Sequence, residues 1–133
     1  MTKKQLTIPK LKKKLDRVFC LYTRLKEVGG RNKFGRCVTC GKKFGFKKLD
    51  AGHFISRNYT IHRWNPINVH TQCQRCNRFS GGEIEEYFLW MEVEYGREVV
   101  DDLISHKHDI VKLDRQWMLD KIEYYKKLIK DYE

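Results

Sequence analysis

Residues 69–82 read VHTQCQRCNRFSGG: a β-prone run, a Cys-x-x-Cys pair and, directly behind the second cysteine, Asn77. A matching pair, Cys37 and Cys40, lies upstream in CVTCGKKF, with Gly41 placed to relax the tight turn that follows. Four thiolates in two such pairs match the tetrahedral shell of a structural zinc ion, and soft sulfur selects Zn²⁺ over Mg²⁺. Four protein ligands leave no open position for water, so this ion would hold the chain together rather than activate a nucleophile. A redox dithiol needs a lone pair of cysteines beside a βαβ pattern, and neither is present. The reading therefore fixes attention on a small metal-clamped module, with any chemistry lying beside the zinc.

Outward from this module the chain is helical at both ends. PKLKKKLDRVFCLYTRLKEVGG carries Leu11, Leu15, Val18, Phe19, Tyr22, Leu25 and Val28 at three- and four-residue spacing, a single apolar stripe. Pro9 suits the first turn and Gly29-Gly30 the stop. Cys20 falls inside this pattern and reads as a small core residue. Residues 32–82 are rich in turn signals, with a strand expected through His53–Ile55 and a short return strand at NVH. The segment from about Cys73 is expected to turn into a helix. Beyond Gly81-Gly82, EIEEYFLWMEVEYG, REVVDDLISH and DRQWMLDKIEYYKKLIKDYE read as helices, the last with Met118, Ile122, Tyr125, Ile129 and Tyr132 on one face. They are expected to pack around the zinc module, although a stripe of this kind also serves a homodimer. The expected class is α+β in one domain: a basic N-terminal helix (1–31), a zinc-stabilised core (32–82) and a helical acidic part (83–133).

The 133 residues carry a net charge of +11, unevenly placed. Residues 1–48 hold 16 Lys/Arg against only Asp16 and Glu27, residues 49–80 are net +3, and residues 81–133 are net −6. A basic half opposite an acidic one points to a polyanionic partner met by one end, with nucleic acid the leading candidate. No segment approaches the roughly 20 apolar residues of a membrane span, and the N-terminus lacks a signal-peptide pattern. The expectation is a soluble, cytoplasmic protein without a membrane partner.

Between and around the knuckles lie LDAGHFISR and NPINVHTQCQRCN, which contribute His53, Asn68 and Asn77. The stretch 37–81 resembles a His-Asn-His (HNH) nuclease of the ββα-metal, or His-Me finger, class, a treble-clef-like zinc module. The run DAGHFISR…NVHTQCQRCNRF is more specific and resembles the bacteriophage NinG/Rap recombination protein family, nucleases of branched DNA. The similarity is carried by residues 35–96, including YFLWMEVEYG. It implies a DNA endonuclease that cuts D-loops or Holliday junctions with Mg²⁺ or Mn²⁺, leaving a 5′-phosphate, in the host cell cytoplasm. His53 would be the general base, Asn77 the helix-borne ligand of the catalytic ion, and Asn68 a residue that holds the loop through backbone hydrogen bonds. Imidazole suits proton transfer near neutrality, and an amide oxygen is a hard ligand.

The second metal ligand departs from the family pattern. Many relatives have an aspartate immediately before the base, where this chain has Gly52. Asp50 is the substitute, but on a regular strand it would point away from the face of His53 unless Ala51-Gly52 bends. His70 could face a phosphate or simply pack; His62 reads as exposed, and His106 and His108 as solvent-facing at a helix end. Arg57, Arg75 and Arg78 are candidates to grip phosphates, and Lys12, Lys13 and Lys14 to bind flanking duplex. Two other readings fit part of the pattern. A non-catalytic zinc module that binds nucleic acid needs only the cysteines and the basic arm, and a protein adaptor would use the acidic helices.

Overall fold

The computed structural model describes residues 5–133; residues 1–4, the start of the expected basic segment, lie outside it. Helix α1 runs Ile8–Val28, opened by Thr7, whose Oγ1 accepts the Lys10 N–H at 3.4 Å. Gly29 ends it at φ +96°, a left-handed conformation that costs glycine little. Leu11, Leu15, Val18, Phe19, Leu25 and Val28 are all buried, as the stripe requires. Tyr22 is only partly buried, at the margin of the same core.

Two antiparallel hairpins follow. Strands β1 (Phe34–Arg36) and β2 (Lys43–Gly45) frame the first cysteine pair. Strands β3 (Leu49–His53) and β4 (Val69–Cys73) pair in continuous register from Leu49↔Cys73 to His53↔Val69. The first expected strand therefore lies earlier than its apolar run suggested, ending rather than beginning at His53. Every residue of β4 is buried, because the hairpin is covered on both faces. Leu49, Ala51, Val69 and Cys73 join α1 in one core. On the opposite face, Tyr87 donates to the Gly52 carbonyl at 2.7 Å, and the His70 ring meets Trp90 at 4.7 Å.

After Cys73 the expected helix is a single π-helical turn, Arg75–Phe79, closed by Gly81 and Gly82 at positive φ. Helices α2 (Ile84–Tyr95) and α3 (Arg97–Ser105) pack on each other and enclose a second core with Phe54 and Ile55. Helix α4 (Arg115–Lys130) returns to lie along α1. Met118, Ile122, Tyr125 and Ile129 are buried there, with Phe19 and Tyr125 edge to face at 5.2 Å. Thus α2 covers the hairpin directly, whereas α4 packs along α1 and touches the loop between β3 and β4 through Trp117 on Trp64. No helix among the described residues is long and apolar enough to cross a membrane.

Candidate functional site

The four cysteines converge although two strands and a long loop separate the pairs. Their Sγ atoms all lie within 4.8 Å of one another, and Cys40 and Cys73 are 3.9 Å apart. A tetrahedron with Zn–S bonds of about 2.3 Å has sulfur–sulfur edges of about 3.8 Å, so the donor set fits a structural zinc ion. Backbone N–H groups of Cys40 and Cys76 point at the sulfurs of Cys37 and Cys73, 3.4 and 3.5 Å away. Each knuckle is thereby turned to present both thiolates inward. Gly41 adopts φ +75° and its N–H returns to the Cys37 carbonyl at 2.8 Å.

A cleft of about 440 Å³ opens along the free edge of β3. His53, Arg57, Asn77 and Cys20 line it, with Gly81 and Gly82 closing one side. His53 and Asn77, far apart in sequence, thus face one space. His53 Nε2 lies 2.9 Å from the Arg63 carbonyl. A carbonyl only accepts, so Nε2 carries the proton and Nδ1 keeps its lone pair in the neutral ring. Nδ1 has no hydrogen-bond partner among the described residues. Burial lowers the pKa of His53 below its ordinary value, with the Arg63 carbonyl acting in the opposite direction. The site therefore offers an unprotonated, oriented imidazole nitrogen at neutral pH.

The loop that supplies this carbonyl is fixed from two sides. Asn68, fully buried, accepts the Ile55 N–H at 2.8 Å and donates to the carbonyls of Ile55 and His62 at 2.9 and 3.1 Å. Its side chain thus ties the two ends of the 55–68 loop together. From α1, Asp16 accepts two hydrogen bonds from Arg63, at 2.9 and 2.5 Å, and one from Trp64 Nε1 at 2.8 Å. Asp16 did not stand out in the sequence, yet it and Glu27 are the two acids among residues 1–48. Glu27 likewise turns inward, accepting from His70 Nδ1 at 2.5 Å and the Thr71 N–H at 2.6 Å. Sixteen and 27 differ by about three helical turns, so both acids lie on the face of α1 that meets the hairpin. The signal was present: isolated acids in a basic helix at whole-turn spacing.

Asp50 does not share the face of His53, because β3 runs regularly through Ala51-Gly52 without a bend. It nevertheless meets Asn77, whose Nδ2 donates to Asp50 Oδ2 at 3.0 Å. Arg78 holds both carboxylate oxygens of Asp50, at 2.8 and 2.9 Å. With Nδ2 engaged, Asn77 Oδ1 remains as a hard acceptor. Gly52 is required by packing: a Cβ there would lie 1.9 Å from Gln72 Oε1.

The remaining candidates are dispersed. Arg57 is exposed at the cleft, while Arg75 is exposed on the knuckle side, in a depression with Lys42 and Lys48. Lys13 is exposed on α1; Lys12 and Lys14 are half-buried, and the pKa of Lys14 is lowered chiefly by neighbouring Lys126 of α4. His70 does not line the cleft; it is buried against Glu27, the Ile67 carbonyl and Tyr95. His62, expected at the surface, is buried with Nε2 on the Leu103 carbonyl at 2.7 Å. His106 stands half-exposed at the end of α3, as expected, beside Asp102 and Asp109. Cys20 packs against the α1 core and also reaches the cleft wall, half-buried, and burial, then Asp16, raises its pKa to about 11.

A family model described as "Bacteriophage Lambda NinG protein" matches residues 2–133, well beyond the 35–96 stretch that carries the motifs. The "Protein ninG" of Escherichia phage lambda is 29% identical over 98 residues, 69% of this chain and 45% of the relative. Those of Escherichia phage 933W and Enterobacteria phage VT2-Sa are each 30% identical over 71 residues, 53% of this chain and 35% of theirs. The chain thus spans less than half the length of these curated relatives. No solved structure matches it.

Proposed function

The chain belongs to the NinG family, and on that footing we propose that it is an HNH-type, metal-dependent DNA endonuclease acting on branched recombination intermediates such as D-loops or four-way junctions. The observation that carries this reading is the state of His53. A backbone carbonyl holds one of its ring nitrogens, the other has no partner among the described residues, and its pKa is depressed within a cleft it shares with Asn77.

In this reading His53 Nδ1 takes the proton from a water molecule as the water oxygen bonds to phosphorus. The bond from phosphorus to the 3′-oxygen breaks, the leaving oxygen acquires a solvent proton, and a 5′-phosphate results. Asn77 Oδ1 would be the oxygen donor for a hard cation, and Asp50 would be a second donor once Arg78 releases it; as it stands Asp50 orients the Asn77 amide. A hard divalent cation such as Mg²⁺ or Mn²⁺, if held there, would supply charge neutralisation for phosphodiester cleavage. Arg57, exposed at the cleft, grips a phosphate oxygen pair in the bidentate manner of guanidinium. The basic surface of α1 contacts flanking duplex without reading sequence, so affinity falls steeply with salt.

The test compares wild type, His53→Ala and Asp50→Ala, each zinc-loaded, on linear duplex, a D-loop and a four-way junction with Mg²⁺, Mn²⁺ or EDTA. Loss of a general base removes about 10²–10⁴-fold of the rate. The expected result is metal-dependent cutting that His53→Ala abolishes while DNA binding and zinc content persist. Binding without cutting on every substrate would instead make the protein a non-catalytic zinc-dependent DNA-binding module. Near-normal cutting by Asp50→Ala would leave Asn77 without this carboxylate as co-ligand.

A further inference from the structure

A second cleft, of about 420 Å³, lies between the 60–65 segment and the chain that enters α4. Ile61, Trp64, Val111, Leu113 and Trp117 form its largely apolar walls, and Asn65 and Lys112 contribute polar edges. Trp64 is buried and forms the floor, whereas Trp117 is 42% exposed and presents ring surface. The two indoles meet at 6.0 Å and 51°, an open angle rather than a parallel stack. Lys121 lies 5.8 Å from Trp117 and 5.2 Å from Tyr124, whereas Arg63, 5.3 Å from the Trp64 ring, is already paired with Asp16. The one acid of the lining, Asp114, already caps α4 by accepting the Gln116 N–H at 3.0 Å.

From this placement we propose that the cleft receives an unpaired nucleobase of the DNA substrate, stacked against Trp117 over the Trp64 floor. The proposal rests on the reading of DNA as substrate and adds what the active cleft itself lacks, a means of recognising broken base pairing. Three observations favour a base over an apolar peptide or a second copy of the chain. Aromatic surface is shaped as a platform, which any base can use through its π-face. Lys112 and Lys121 stand beside it, placed for the phosphates on either side of an extruded nucleotide, while the exposed acid of the lining, Asp114, is turned to the α4 cap. Finally, the 60–65 segment is the one whose Arg63 carbonyl holds His53, so a base seated against Trp64 bears on the segment that orients the histidine.

The experiment measures binding by fluorescence anisotropy, without added Mg²⁺, to a duplex and to the same duplex bearing a two-nucleotide adenine bulge. Wild type, Trp117→Ala, Trp117→Phe and Lys112→Ala are compared. With one base stacked, wild type is expected to prefer the bulge by about tenfold. Trp117→Ala should erase the preference while leaving duplex affinity unchanged, and Trp117→Phe should keep most of it. Lys112→Ala should weaken bulge binding with a shallower salt dependence. A preference that survives Trp117→Ala, or a wild type that binds duplex but shows no preference, overturns the base pocket alone. Absence of salt-dependent binding to either DNA overturns the DNA reading and the pocket with it. Concentration-dependent self-association that Trp117→Ala abolishes would assign the cleft to a second copy and also overturn the proposal.

Discussion

Replacing Asn68 with alanine isolates the contribution of one buried amide to both stability and site geometry. The side chain is fully buried and makes three hydrogen bonds, one accepted from Ile55 N and two donated to the carbonyls of Ile55 and His62. Alanine leaves a buried N–H without a partner, at about 1–3 kcal/mol, and removes two further bonds worth about 1 kcal/mol each. Water entering the vacated volume recovers part of this, so a loss of about 3 kcal/mol is expected. That is a fraction of the roughly 5–15 kcal/mol that holds a domain folded, so the variant should fold with zinc in place. The loop that carries the Arg63 carbonyl would no longer be tied at both ends, and His53 Nε2 would lose its fixed acceptor. Urea denaturation gives the stability change, and long-range ¹H–¹⁵N spectra of the imidazole report the tautomer. Asn68→Ala should lower the midpoint and mix the two His53 tautomers. An unchanged midpoint, or a variant that is destabilised while His53 keeps a pure Nε2–H tautomer, would refute the argument that this amide positions the base.

Other outcomes follow from the same contacts. The wild type should hold one zinc per chain by atomic emission; Cys73→Ser should abolish this and remove the near-ultraviolet signature of the packed hairpin, and full retention of both would refute the zinc clamp. Gly52→Ala drives a Cβ into Gln72, whose Nε2 bonds the Gly82 carbonyl at 2.9 Å; overpacking and the lost bond should cost about 3 kcal/mol in urea denaturation. Burial depresses the pKa of His53, whereas Asp109 and then Asp102 raise that of His106, so an NMR titration towards acid should protonate His106 first. Because the folded state holds the His53 proton more weakly than the unfolded chain, the linked stability is fully present above the ordinary imidazole value near 6.5 and is lost as pH falls from there through the lowered folded value. Cutting that depends on the neutral ring should decline over the acid side as well.

The parts legible in the sequence were those set by local spacing. Two Cys-x-x-Cys pairs announced the metal clamp, and the three- and four-residue stripe of α1 marked the residues that are buried. Strand β3 was misplaced because its residues include Asp50 and Gly52, poor β-formers; pairing with β4 and cover from both faces override that preference. His62 was unreadable for a different reason: its burial comes from the carbonyl of Leu103, 41 residues away. The same holds for Arg63, whose backbone oxygen rather than its side chain serves His53. A carbonyl has no residue identity, so no motif could announce it. The spacing of Asn77 and His53 implies partners across one space, and they line the same cleft, whereas the contact of Arg78, a phosphate candidate, with Asp50 joins residues 28 apart that no local spacing connects.

The inward acids of α1 also bear on the order in which the protein is made. Asp16 and Glu27 leave the ribosome well before their partners Arg63, Trp64, His70 and Thr71, which lie 43–48 residues further along. At about 5–20 residues per second, α1 is exposed for seconds with its two carboxylates unmatched. In the folded protein the hairpin packs on one side of α1 and α4 on another. Nascent chains halted at increasing length should therefore gain resistance to proteolysis in two steps, one when the hairpin clears the exit tunnel and one when α4 does.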